Sequence, residues 1–133
     1  MDAELRALVW QRAGDRCEYC RLRQEHLPLI LQIEHIIAKQ HGGDDDPGNL
    51  ALSCDRCNAY KGPNLSGIDP GTRQLVSLFN PRSQNWHEHF WLDGATIAGL
   101  TPIGRATLRV LNMNAPRRVR LRAALLIQGE LSP

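Results

Sequence analysis

The residues with chemical potential crowd into one stretch, residues 29–61, LILQIEHIIAKQHGGDDDPGNLALSCDRCNAYK. It holds an acid–imidazole pair, Glu34-His35, and a loop amide, Asn49. Cys54-x-x-Cys57 follows, then Asn58 at once and Lys61 a turn later. An imidazole with an ordinary pKa near 6.5 can take a proton at neutral pH. Carboxylate and amide oxygens are hard donors, whereas thiolates are soft and suit zinc. A second C-x-x-C, Cys17 and Cys20, precedes Cys54 by a gap of 33 residues. Four thiolates make a tetrahedral Zn2+ site with no open position, which is structural rather than catalytic. A redox C-x-x-C or four free thiols are the competing readings. Two pairs flanking one compact stretch favour zinc.

Positioning these groups requires strand, loop, strand and helix. Leu29 to Ile37 is short and rich in Ile and Leu, which predicts a strand. Residues 42–48, rich in Gly and Asp, predict a turn region. Leu50-Ala51-Leu52 is a second short apolar run. Cys54 to Lys61 predicts a short helix stopped by Gly62-Pro63. In that helix Cys54, Cys57, Asn58 and Lys61 recur at spacings of three and four and share a face or adjoining faces. His35 and Glu34 then stand at the end of one strand, with Asn58 on the facing helix.

This stretch resembles the HNH endonucleases, the ββα-metal or His-Me finger nucleases. Glu34-His35 matches their acidic-His pair, Asn49 their mid-loop Asn, and Asn58 the final His or Asn on the helix. The two C-x-x-C pairs match the brackets of the zinc-ribbon subset. The resemblance runs from about Arg12 to Lys61, and it departs from the commoner pattern in having Glu as the acid and Asn as the last letter. It implies an α+β fold: a ββα-metal finger stapled by a four-cysteine zinc site, with an added N-terminal helix, β-hairpin and C-terminal helices. It also implies a catalytic constellation of His35, Glu34, Asn49 and Asn58. His35 takes a proton from water. Glu34 and Asn58 offer hard oxygens to one Mg2+ or Mn2+, and water completes its shell. Asn49 ties loop backbone together or holds the His35 region. Products carry a 5′-phosphate and a 3′-hydroxyl. Lys61 reaches phosphate as a point charge, with Arg56 and His41 as weaker candidates. The competing function is a non-catalytic zinc-binding module that recognises nucleic acid on the same scaffold; such a binder needs none of Glu34, His35 and Asn58.

A chain of 133 residues predicts one domain. The HNH core covers about residues 12–62, and a hairpin and helical extension covers about 63–133. A chain this size buries a modest core, and a structural metal is a natural supplement. Cysteine pairs of this kind, without a visible signal peptide or a long apolar run, predict a cytoplasmic protein and no membrane partner. Residues 1–62 carry eight basic and ten acidic side chains, while residues 63–133 carry eight and four. A basic C-terminal half beside a carboxylate-bearing site fits a polyanion such as DNA, with RNA as the other option.

Asp2 predicts an N-cap for a helix ending at about Ala13, with Gly14 just beyond. Leu5, Leu8 and Val9 should face the core, and Arg6, Arg12 and Arg16 should face water. Residues 62–85 read as a mostly irregular connection with a turn at Asp69-Pro70-Gly71. Trp86 to Thr101 reads as a hairpin turning at Asp93-Gly94, with His87 and His89 on one strand face. Thr101-Pro102 starts a helix to about Asn112, and Asn114-Ala115-Pro116 starts another ending at Gly129. Arg117, Arg118, Arg120 and Arg122 crowd the first turns of that last helix, where cations oppose the helix dipole. An acidic neighbour or DNA phosphate would offset this; Arg117 and Arg118 join the candidates for phosphate contact. The segment GIDPGTRQLVSLFNPRSQNWHEHF…GLTPIGRA also resembles the tail of small stand-alone bacterial HNH proteins.

Overall fold

Asp2 and Gly14 bracket the first element. The computed structural model describes residues 1–133, and helix α1 spans Ala3–Ala13. The Asp2 carboxylate accepts from the Leu5 amide, and Gly14, at φ 65°, closes the helix by donating to the Gln11 and Trp10 carbonyls. Leu5, Val9 and Ala13 recur every four residues and form the inward stripe. Leu8 lies off that stripe and is exposed, against expectation. Only Arg6 of the three arginines simply faces water. Arg12 donates to the Pro47 and Leu50 carbonyls, and buried Arg16 donates to the Ser132 carbonyl. Arg16 thereby pairs a carbonyl that the backbone leaves free, while the Pro47 carbonyl under Arg12 also accepts from the Leu50 amide.

Strand β1 (Gln32–His35) pairs antiparallel with β2 (Leu50–Ser53), with Gln32 opposite Ser53 and His35 opposite Leu50. The strand is shorter than the apolar run, because Leu29 and Ile30 stay outside the ladder and exposed. All four residues of β2 are buried. Helix α1 packs on β2 and helix α2 (Asp55–Lys61) packs on β1. Cys54 is the N-cap of α2; its sulfur accepts from the Cys57 amide.

The connection after Gly62 is more regular than its sequence indicates. Strands β3 (Ser66–Ile68) and β4 (Leu75–Ser77) form a hairpin. Each is three residues long, too short to show a period of two. Asp69 holds the turn together, accepting from the Gly71 and Thr72 amides and the Thr72 hydroxyl. Trp86–His89 is a single helical turn, α3, capped by Asn85, so His87 and His89 do not share a strand face. Local Asn85 capping wins over the expected extension. His89 instead meets the Thr101 hydroxyl at 2.6 Å. Strands β5 (Phe90–Asp93) and β6 (Thr96–Gly99) make the expected hairpin over Asp93-Gly94. Helices α4 (Pro102–Val110) and α5 (Pro116–Ile127) start at the prolines read from sequence.

One core of 21 buried residues runs from Val9 to Leu125 and includes the four cysteines. The N-terminal finger and the C-terminal extension therefore share an interior. Tyr19, Phe79, Phe90 and Trp86 bridge them by edge and tilted ring contacts.

Candidate functional site

The cysteine cluster sits between the knuckle after α1 and the start of α2. The four sulfurs lie within 4.8 Å of one another, and Cys20 Sγ is 3.8 Å from Cys54 Sγ. Sulfurs about 2.3 Å from a tetrahedral zinc stand about 3.8 Å apart. No pair is joined as a disulfide. The Cys20 amide donates to Cys17 Sγ and the Cys57 amide to Cys54 Sγ, both at 3.4 Å. Hydrogen bonds from Cys17 and Cys20 push the Cys54 thiol down. Burial pushes Cys17 up, and hydrogen bonding within the cluster pushes Cys57 up. A cation among the sulfurs takes the place of those shared protons. The donor set and spacing are those of a zinc site.

Two guanidinium groups of α5 stand behind it. Arg118 Nη2 donates to Asp55 Oδ1 at 3.0 Å. Burial pulls the Arg118 pKa down, but Cys54 and Cys20 outweigh it and hold the group above its ordinary value. Arg122, 1% exposed, donates to the Ala95 and Met113 carbonyls and to Asn114 Oδ1. The arginine cluster at this helix start thus divides. Arg117 and Arg120 face solvent, while Arg118 and Arg122 are buried. Arg118 is corrected as a phosphate candidate, because its charge is spent on Asp55 and the cysteines.

Glu34 and His35 alternate across β1, so they leave it on opposite sides. Glu34 turns inward, with the Tyr19 hydroxyl on one oxygen and Lys61 Nζ 3.3 Å from the other. Burial raises its pKa, against the pull of Lys61. Lys61 also donates to the Ile36 carbonyl at 2.9 Å. At 2% exposure it cannot reach a phosphate in solvent, which corrects the expectation for that residue. The last turn of α2 lies on β1 and directs the ammonium into the protein.

Asn58 Nδ2 donates to Gln32 Oε1 at 2.6 Å, leaving the Asn58 oxygen as the uncommitted end. Gln32 and Glu34 share a face of β1, so Asn58 and Glu34 belong to the same strand–helix interface. On the other face, His35 Nε2 meets Asp45 Oδ1 at 2.7 Å, and the imidazole is 24% exposed. Asn49 Oδ1 accepts from the Ile37 amide at 2.8 Å. Its Nδ2 donates to the Ile37 carbonyl at 3.0 Å and to the Asp44 carbonyl at 2.9 Å. Asn49 therefore ties the end of β1 to the acidic loop. His41 and Arg117 are exposed, and the half-buried Arg56 lies 5.3 Å over the Tyr60 ring.

The four thiols are the one group of three or more His, Cys, Asp or Glu side chains close enough to hold a metal ion. A second cation would have only Glu34 and Asn58 as protein oxygens. Mg2+ tolerates such a sparse set by keeping several waters and sharing substrate phosphate, but both Glu34 oxygens here already face Tyr19 and Lys61. Sequence reasoning missed Asp45, Tyr19 and Gln32. Asp45 sits in a run of three aspartates that signals only a turn, and Tyr19 and Gln32 have no motif position.

An antiparallel strand pair, a crossing helix and a thiol cluster around Glu-His, Asn and Asn place this region in the ββα-finger class. Residues 17–64 match the family model described as HNH endonuclease, and this segment is an HNH domain of the zinc-ribbon type. The chain is similar to the Septu protein PtuB of Bacillus thuringiensis, with 25% identity over 116 residues. That alignment covers 83% of this chain and 41% of the relative, so the chain spans less than half of that protein's length. No solved structure matches. No helix is long and apolar enough to cross a membrane.

Proposed function

We propose that this chain is a metal-dependent endonuclease hydrolysing DNA phosphodiester bonds. The reading rests chiefly on His35: a partly exposed imidazole at the end of β1, braced through Nε2 by Asp45, with no protein partner on its other nitrogen. In this role His35 takes the proton of the attacking water. Following the resemblance, Glu34 and Asn58 would hold one Mg2+ or Mn2+, which would supply charge neutralisation at the phosphoryl group, although the His35 ring leaves β1 on the other face. The ion would compete with the Lys61 ammonium for the Glu34 carboxylate. Asn49 keeps the loop beside His35 in place. Arg56, His41 and Arg117 are the proposed phosphate contacts. The four reduced thiols suit a cytoplasmic setting.

One observation favours a second reading. Glu34 is already matched by a buried ammonium and a phenol, so a scaffold that binds nucleic acid without cutting would also satisfy it. Incubating supercoiled plasmid with Mg2+ or Mn2+ separates the two. Nicking by the wild type and none by His35→Ala, with equal DNA affinity, is the expected result. Retention of DNA by both proteins with no cutting would overturn the enzymatic reading. Parallel incubation with single-stranded RNA reads the substrate class.

A further inference from the structure

Asp45 lies in none of the motif positions of the finger, yet it touches its central residue. Its Oδ1 is 2.7 Å from His35 Nε2. The loop that carries it is fastened at both flanks. Asn49 bonds the Asp44 carbonyl, Asp44 Oδ1 accepts from the Asp46 amide, and Asp46 Oδ1 accepts from the Gly48 amide. Lys39 Nζ stands 3.9 Å from the same Asp45 oxygen. The hydrogen bond with His35, and then Lys39, hold the Asp45 carboxyl below its ordinary range. At neutral pH it is an acceptor only.

An acceptor at Nε2 decides where a neutral imidazole keeps its proton. The ring nitrogen facing a carboxylate carries the hydrogen, and the other keeps its lone pair. We infer that Asp45 is the positioning residue of His35: it fixes the Nε2–H tautomer and the ring orientation, leaving Nδ1 to receive the proton of the attacking water. The inference rests on the nuclease reading for the water, but the tautomer itself does not. Asn49 then acts on His35 at one remove, by holding the segment from which Asp45 reaches it. The proton balance is closed within the site: one proton passes from water to Nδ1, the imidazolium carries the charge, and Asp45 stays ionised opposite it.

Asp45 is exposed, so its replacement leaves the fold intact. Asp45→Asn can present its amide nitrogen to Nε2 and favour the opposite tautomer. Asp45→Ala leaves the ring free, and Asp45→Glu keeps the acceptor. The nitrogen-15 signals of His35, assigned against His35→Gln at a pH where the ring is neutral, should show one Nε2–H tautomer in the wild type. They should show a mixture in Asp45→Ala. On plasmid, kcat of Asp45→Asn and Asp45→Ala should fall by about 10- to 100-fold with KM little changed, and Asp45→Glu should retain more. The same tautomer populations in wild type and Asp45→Ala would overturn the inference, as would wild-type cutting by both variants. Failure of the wild type to cut sinks the nuclease reading and with it the catalytic half of this one. The nitrogen-15 spectra still decide the positioning half.

Discussion

Arg118 donates to Asp55 at 3.0 Å, and Asp55 is the first residue of α2 after the ligand Cys54. The C-terminal helix is therefore fastened to the cysteine cluster by charge as well as by packing. A Zn2+ with four thiolates carries a formal excess of two negative charges, and buried Arg118 and Arg122 are the nearby compensation. This answers why α5 begins with cations that its dipole disfavours. Arg118→Leu should cost about 2 kcal/mol, weaken zinc retention against a chelator, and speed proteolysis within residues 116–133. The exposed Arg117→Leu should do none of these. Competition with a zinc indicator, beside limited proteolysis, measures both.

Zinc removal should be more severe. The four cysteines belong to the shared core, so a metal held there would tie the knuckle after α1 to the start of α2 inside it. Cys54→Ser, or chelation of the wild type, should abolish cooperative thermal melting, and elemental analysis should find one zinc per chain. Cooperative melting that persists in Cys54→Ser after its zinc is lost would contradict a structural role.

The Glu34–Lys61 pair predicts an asymmetry. Both side chains are almost wholly buried, so removing one leaves the other uncompensated. Lys61→Met should cost about 3–5 kcal/mol. Glu34→Gln keeps a hydrogen-bond acceptor for Tyr19 but still strands the ammonium. The double variant Glu34→Gln/Lys61→Met should recover part of the loss, which a double-mutant cycle on denaturant unfolding measures. Additive losses would mean that the two groups do not stabilise each other.

The chemistry-bearing part of the fold was legible because its signals are local. Capping residues, the two C-x-x-C pairs and the strand–turn–strand pattern each act over a few residues. Prolines at the starts of α4 and α5 did the same for the C-terminal helices. The β3–β4 hairpin was not legible, since its strands are too short to alternate; its turn residue, Asp69, also meets Arg105 from far along the chain. Glu34 and Lys61 illustrate the same limit within the site. Spacing put them near each other, but burial alone decides that they face inward and not toward solvent. Asp45 was invisible for the converse reason, as an exposed loop carboxylate acquires meaning only from what lies opposite it.

Asp69 predicts a pH dependence. Arg105 grips its carboxylate with two hydrogen bonds, at 2.9 and 3.0 Å. That grip, assisted by the Gly71 and Thr72 amides and the Thr72 hydroxyl, holds Asp69 well below the ordinary carboxyl range. A depressed acid contributes stability that is fully present above its unfolded pKa, near 3.9, and is lost as pH falls toward the folded value. Asp69→Asn should therefore melt below the wild type at pH 7 and at pH 5 by the same margin. The margin should shrink below about pH 4. A margin that grows on acidification would mean that the charge on Asp69 is not what holds the turn.

Gly43 tests the link from loop to imidazole without touching either partner. A methyl group there would sit 1.7 Å from the Ile37 carbonyl oxygen and 2.9 Å from Asn49 Nδ2. Both belong to the tie that Asn49 makes between β1 and the loop, and a backbone carbonyl cannot step aside as a flexible side chain can. Gly43→Ala must open that tie, and the segment bearing Asp45 moves with it. Gly48→Ala meets only the Asp46 carboxylate, at 3.1 Å, and can be accommodated by a small rotation. Gly43→Ala should thus cost about 1–3 kcal/mol, keep its zinc, and lose cutting to the extent that Asp45→Ala does. Gly48→Ala should behave close to wild type. Plasmid cleavage beside zinc content measures the pair. Full activity in Gly43→Ala would separate the loop from the chemistry, because that loop cannot be displaced and still brace His35.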